Sequence, residues 1–244
     1  MFKVNYIYNA GFIVETDDAV LLFNYTHGSV KKINAKKPLY VFLSSCSADH
    51  FDNDVFHLAA NREDVKYLVA TDAFSKKFSM KFFFKHSLEK HTREKIIWTV
   101  PNQSYNVGNG IKVRTFSCTD TNGSVAYLVE TRNGNIFHAG YLNDWSWPGS
   151  PDEMNIKSKK LFEAEVLKLR NVHINTAFLF LNSLQENMYA DGFDYLMRNV
   201  DIDEVYPMNF KDDKKIIDFL IDDDISAPYR DKIMHTTEYT AKGR

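Results

Sequence analysis

Leu39-Tyr40-Val41-Phe42-Leu43-Ser44-Ser45-Cys46-Ser47-Ala48-Asp49-His50 is the stretch on which the fold turns. Five apolar residues in a row, without polar alternation, predict a strand covered on both faces. The run breaks abruptly into small polar residues that close on Asp-His. A helix is predicted next, over Phe51 to Ala60, with Asp49 or Asp52 as its N-cap.

Outward from this stretch, strand patterns dominate. Phe2 to Tyr8, Gly11 to Glu15 and Ala19 to Tyr25 read as strands, separated by the turn residues Asn9-Ala10-Gly11 and Thr16-Asp17-Asp18. The second half repeats the style with Ile111 to Phe116, Val125 to Glu130 and Ile136 to Ala139. Helices are expected over Asn155 to Leu169, Leu184 to Asn199 and Lys211 to Ile221. Ile156, Leu161, Val166 and Leu169 are apolar positions of the first of these. Ala177 to Leu181 and Glu204 to Met208 read as buried strands, and Met234 to Tyr239 as a closing one. Strand-rich blocks followed by helices predict two packed sheets with helices outside.

Composition bounds the function. The chain has 244 residues, 44% apolar and 25% charged, with 19 Phe and 13 Tyr, enough for a sizeable β-rich core. No linker divides it, so residues 1–244 read as a single domain. A net charge of −2 gives no pull toward nucleic acid or an anionic membrane. No apolar stretch approaches the roughly 20 residues of a spanning helix. Two cysteines, Cys46 and Cys118, suit a reducing cytoplasm better than a disulfide scaffold.

The stretch Ser45-Cys46-Ser47-Ala48-Asp49-His50 resembles the His-x-His-x-Asp-His signature of the metallo-β-lactamase superfamily, with serine at both leading histidines. Other blocks follow in the order of that superfamily. Tyr8-Asn9-Ala10-Gly11-Phe12 and Leu21-Leu22-Phe23-Asn24-Tyr25 resemble its opening hairpins. Phe116-Ser117-Cys118-Thr119-Asp120 resembles the segment near the middle ligand. Phe137-His138-Ala139-Gly140-Tyr141 resembles a His-Ala-Gly-Asp block, and Tyr206-Pro207-Met208-Asn209-Phe210 a Pro-Met-His-Phe block. Asp144-Trp145-Ser146-Trp147-Pro148 resembles a tryptophan-bearing loop beside the site, and reads as packing or as a ligand platform. The resemblance implies an α+β fold, a four-layer αββα sandwich.

It also implies a cleft at Ser45, Ser47, Asp49, His50, Asp120, His138, Tyr141 and Asn209, with no catalytic residue assigned. Tyr141 stands where a bridging carboxylate would be, Asn209 where the last histidine would be, and Asn24 where relatives often keep an aspartate. Zinc takes thiolate, imidazole or carboxylate, usually four-coordinate; serine hydroxyl and asparagine amide are weak replacements. Without a metal, bound water keeps its high pKa and the hydrolytic nucleophile is lost. The expectation is therefore a non-catalytic relative, without a cofactor, that binds a small molecule or a protein partner in the old cleft. Two alternatives stay open. One is a hydrolase with zinc or another divalent metal held weakly at Asp49 and His50, with Asp120 in support. The other is a structural or assembly subunit. A homo-oligomer is compatible with each.

Two further expectations concern packing. Tyr141 should fill the space of the absent metals, its hydroxyl near Asp49, His50 or Asn209. The aromatic segment Phe74 to Phe84 should pack against the body of the fold or another subunit. A soft-metal site from Cys46, Cys118 and His50 has no supporting spacing, and a serine nucleophile lacks the G-x-S-x-G elbow.

Overall fold

The computed structural model describes residues 2–30, 33–58, 62–71, 88–119 and 123–235. Among them are two six-stranded sheets. The first runs β1 (Lys3–Tyr8), β2 (Gly11–Glu15), β3 (Val20–Phe23), β4 (Leu39–Leu43), β5 (Val65–Ala70) and β6 (Ile96–Thr99), in that spatial order. The second is ordered β12 (Asp201–Met208), β11 (His173–Phe180), β10 (Gly134–His138), β9 (Val125–Thr131), β8 (Ile111–Ser117) and β7 (Ser104–Gly108). Each sheet joins an antiparallel meander to a parallel stretch, which starts at β3 in the first and at β10 in the second.

Side-chain alternation assigns the layers. Along β2 to β4, Phe12, Val14, Leu21, Phe23, Tyr40 and Phe42 belong to the core shared with the second sheet. Their neighbours Ile13, Val20, Leu22, Leu39, Val41 and Leu43 face the other way, into a separate cluster with Val55 and Phe56 of the short helix α1 (Asp54–Leu58). Each such buried side chain stabilises the fold by about 1.5–3 kcal/mol. Between the sheets the contacts are aromatic, with Phe178 4.2 Å from Phe12 and 5.9 Å from Phe23, ring centre to ring centre. The second sheet's other face carries α3 (Asp152–Val166), α4 (Asp191–Asn199) and α5 (Lys215–Asp222), which add Phe162, Val166, Phe193, Leu196, Ile216, Ile217 and Leu220 to the core. The order of layers is αββα.

Several elements differ from the sequence expectation. α1 begins at Asp54, three residues later than predicted, because Asp52 Oδ1 accepts the Asp54 N–H at 2.8 Å. Asp52, not Asp49, is the capping side chain. Residues 59 and 60 lie outside the described residues. Ile156 and Leu161 are 53% and 50% exposed, whereas the expected apolar positions Val166 and Leu169 are buried, together with Phe162, which the sequence reading did not single out. The helix expected over Leu184 to Asn199 is broken. Asn182 caps a 3₁₀ segment, Ser183–Met188, which kinks at Glu186 (φ 51°), and α4 starts afresh at Asp191. Three strands, β5, β6 and β7, and the helix α2 (Lys90–Glu94) lie where the apolar pattern marks no element. Of the closing strand expected over Met234 to Tyr239, residues 236–239 lie outside the described residues; Ile233, just before it, makes one parallel bridge to Val205. The Phe74 to Phe84 segment lies outside the described residues. No helix among them is long and apolar enough to cross a membrane.

Candidate functional site

Parallel strands end at a common edge, so the loops that follow them converge. β3 leads into Asn24, β4 into Ser44 to His50, β10 into Gly140 and Tyr141, β11 into Asn182 and β12 into Asn209. The β1–β2 turn adds Asn9. Asn9, Asn24 and Asn209 all hold positive φ, at 53°, 43° and 66°. Asparagine enters this left-handed region more readily than other residues with a Cβ. The turns thus favour asparagine before any ligand is considered.

The polar groups form a directed chain. Asn9 Nδ2 donates to the Asp49 carbonyl at 3.0 Å and to Asn209 Oδ1 at 3.1 Å. A carbonyl only accepts, so the Asn9 amide orientation is fixed, and through it that of Asn209. Asn209 Oδ1 also lies 3.0 Å from His50 Nε2, which must therefore carry the proton. His50 Nδ1 is then an acceptor, and takes the hydrogen of Ser44 Oγ at 3.1 Å. Ser44 is held in turn by Asn24, whose Nδ2 donates to Ser44 Oγ at 2.8 Å and whose Oδ1 accepts the Ser44 N–H at 2.9 Å. Every member of this chain is neutral. Burial pushes the His50 imidazolium down to about 4.

Tyr141 closes over this chain. Its ring stacks on the His50 ring with centres 3.9 Å apart and planes 13° from parallel. Tyr141 Oη and Ser47 Oγ are hydrogen-bonded at 2.8 Å, and Ser47 Oγ lies 3.0 Å from Ser45 Oγ. Gly140 sets the turn: it has φ 57°, and a Cβ there would sit 2.8 Å from the Val125 carbonyl and 3.0 Å from Ser44. Trp145 Nε1 donates to the Tyr141 carbonyl at 3.0 Å, fixing the loop from the far side. Asp49 is exposed at the mouth rather than buried. Partial burial raises its pKa, but hydrogen bonding with Tyr141 and Ser47 and the adjacent His50 outweigh this, leaving the carboxyl below its usual range.

His138 is not part of the cleft surface. It is fully buried and stacks on Phe23 with ring centres 5.1 Å apart. Nε2–H donates to the Ala10 carbonyl at 3.0 Å, and Nδ1 accepts the Gly140 N–H at 3.1 Å. Burial pushes its pKa down to about 3. Cys118 belongs to the main core cluster, whereas Cys46 packs against the separate cluster on the outer face of the first sheet. Asp120 lies outside the described residues.

Beside Tyr141 opens a cavity of about 410 Å³. Asp49, Tyr141 and Asn209 line it, while Ser45, Ser47 and His50 do not. The rest of the lining includes Asn9, Trp145 and Phe180, with Lys211, Asp212 and Asp213 after β12. The tryptophan of the loop after β10 is thus a wall of the cavity as well as a packing group. Lys211 to Asp213 carry a visible signal, a charged run directly after the Asn209 block. Phe180 carries none, since it reads as one more apolar strand residue.

The described donor set does not fit a metal ion. No group of three or more His, Cys, Asp or Glu among the described residues is arranged to hold one. Asp49 is one carboxylate, both nitrogens of His50 are committed to hydrogen bonds, and the surrounding oxygens are neutral hydroxyls and amides.

Known proteins resemble this geometry in fold. No protein-family model matches the chain, and no curated protein does. Solved structures do. Igni18, a metallo hydrolase from Ignicoccus hospitalis, superposes with a TM-score of 0.62 at 12% identity over 96% of this chain and 94% of its own. YhfI from Bacillus subtilis, a metallo-β-lactamase fold protein, gives 0.57 at 14% identity over 83% and 79%. CmlA from Streptomyces venezuelae, a diiron β-hydroxylase, gives 0.56 at 10% identity over 85% of this chain and 44% of its own. At such identities the likeness is one of architecture, and the chain has the metallo-β-lactamase fold.

Proposed function

We propose that this protein is a non-catalytic member of its fold group that binds a small molecule in the cleft at the strand ends. The observation that carries the reading is the Tyr141 ring stacked 3.9 Å from His50, which covers the imidazole from the position where the resemblance implies a bridging carboxylate. The neutral chain Asn24–Ser44–His50–Asn209–Asn9 supports it. It satisfies both imidazole nitrogens without a cation. A cavity of about 410 Å³ falls in the range that small ligands use.

The names of Igni18 and of CmlA favour a second reading, a metal-dependent enzyme with one ion at Asp49 and His50. Elemental analysis of protein expressed with zinc, iron and manganese separates the two. The proposal expects well under one equivalent of any of them. One or more tightly bound equivalents, with hydrolysis of a lactone, thioester or phosphodiester abolished in Asp49→Ala, would replace it with the enzyme reading. A fragment screen that follows the Trp145 indole N–H by NMR tests the binding half of the proposal.

A further inference from the structure

We infer that the segment from Asn182 to Tyr189 is a latched gate in the wall of the cleft, with the Gln185 side chain as its latch and the Glu186 backbone as its spring. The segment stands between two cavities. Asn182, Ser183 and Leu184 line the cavity of about 410 Å³ beside Tyr141. Ser183, Glu186 and Tyr189 line a second one of about 240 Å³, together with Ile216 and Phe219 of α5. Ser183 and Asp213 line both, so the two spaces adjoin, and a shift of the segment joins them.

The latch is one buried amide on an exposed segment. Gln185 is 1% exposed, while Ser183, Leu184, Glu186 and Asn187 around it face solvent. Gln185 Nε2 donates to the carbonyls of Asp144 at 2.8 Å and Ser146 at 3.0 Å, and Oε1 accepts from Asn143 Nδ2 at 2.9 Å. Three hydrogen bonds from one side chain therefore pin the segment to the loop that carries Trp145, a wall of the first cavity. At the far end Tyr189 Oη donates to Asp223 Oδ2 at 2.7 Å, which anchors the segment where it enters α4.

The spring is the next residue. Among the described residues seven other than glycine have positive φ, and five of these are asparagines. Glu186 is not, and at φ 51° and ψ −121° it falls outside the left-handed well that asparagine tolerates. A backbone of this kind persists only where its surroundings over-determine it. The Glu186 side chain supplies no such restraint: it is exposed and enters no ion pair among the described residues. The restraint comes from Gln185, so the strain at Glu186 pulls against the latch beside it.

Amide hydrogen exchange by NMR tests this on the whole chain. The Tyr189 N–H, bonded to the Glu186 carbonyl at 3.2 Å, reports the gate, and the amides of β11 report the body of the fold. Gln185→Met removes the latch at nearly constant volume. It should speed Tyr189 exchange at least about tenfold relative to β11, and broaden both the Trp145 indole and the Ile216 methyl signals, one on each side of the gate. Glu186→Gly relieves the spring and should slow Tyr189 exchange about tenfold relative to β11. The double variant should return to within about threefold of the parent. Unchanged Tyr189 exchange in Gln185→Met, either side-chain signal staying sharp, or Tyr189 and β11 moving in step overturns the inference, and so does faster exchange in Glu186→Gly or no rescue in the double variant. If Gln185→Met does not fold, the sign of the Glu186→Gly effect decides alone. No ligand enters the test, so its failure leaves the small-molecule reading standing.

Discussion

His50 and His138 are both fully buried, both stand at the carboxyl end of a parallel strand's edge, and both are kept neutral by burial. Their partners differ. His138 is locked by main chain alone, between the Ala10 carbonyl and the Gly140 N–H. His50 is locked by side chains, Ser44 on one nitrogen and Asn209 on the other. A backbone lock belongs to the fold and survives any change of the cleft. A side-chain lock is rewritten by single substitutions. The comparison separates a structural histidine from one whose role was open to change. It places the chemical decision of this molecule at Ser44, Asn209 and Tyr141 rather than at the histidine itself.

The most severe way to break the comparison is His138→Ala. It leaves a cavity between the sheets and two buried backbone groups without partners, and should cost roughly 4–5 kcal/mol in urea unfolding. Acidification comes next. Burial holds both histidines below the ordinary imidazole value of 6.5, His50 at about 4 and His138 at about 3. The unfolded chain therefore takes up protons first as pH falls below 6.5, and stability drops. The loss between pH 8 and pH 5 is about 2 kcal/mol for each histidine, on the order of 4 in all, and it stops growing only below the folded values. A flat stability profile over that range would contradict the neutral assignment of both rings.

Asn209→Asp sharpens the contrast. A carboxylate against the Nε2–H of His50 should raise that pKa by about 1–3 units, read by NMR titration, while His138 does not move. Equal movement of both would mean that the two are one coupled site. The smallest effect expected is that of Tyr141→Phe. The stacking on His50 stays, the contact of Oη with Ser47 goes, and the cost is about 1 kcal/mol.

The fold was legible where pattern and punctuation agree. The unbroken apolar run of Leu39 to Leu43 reports burial on both faces, and the strand-end blocks at Asn24, Gly140 and Asn209 mark turns that need glycine or asparagine. β6 is half-buried and only four residues long, and β7 is mostly polar, so neither has the alternation that betrays a strand. The register of α3 misleads because Met154, Ile156 and Leu161 are apolar yet exposed, which periodicity alone cannot reveal. At the site, the serines, tyrosine and asparagine at positions where the resemblance implies metal ligands were plain in the sequence. The role of Asn9 was not, because its side chain bonds to Asn209, 200 residues away. His138 was misplaced in the cleft for the same kind of reason: its partners are backbone atoms, which leave no mark in a sequence.

The central claim is that His50 is a neutral, hydrogen-bonded ring under Tyr141 and is not a metal ligand. Long-range proton–nitrogen NMR of the histidine rings, recorded before and after one equivalent of zinc, reads it directly. The account predicts that His50 carries its proton on Nε2, with Nδ1 accepting from Ser44, and that zinc changes neither signal. Loss of the Nε2 proton on addition of zinc, with a shift of that nitrogen into the metal-bound range, would contradict it.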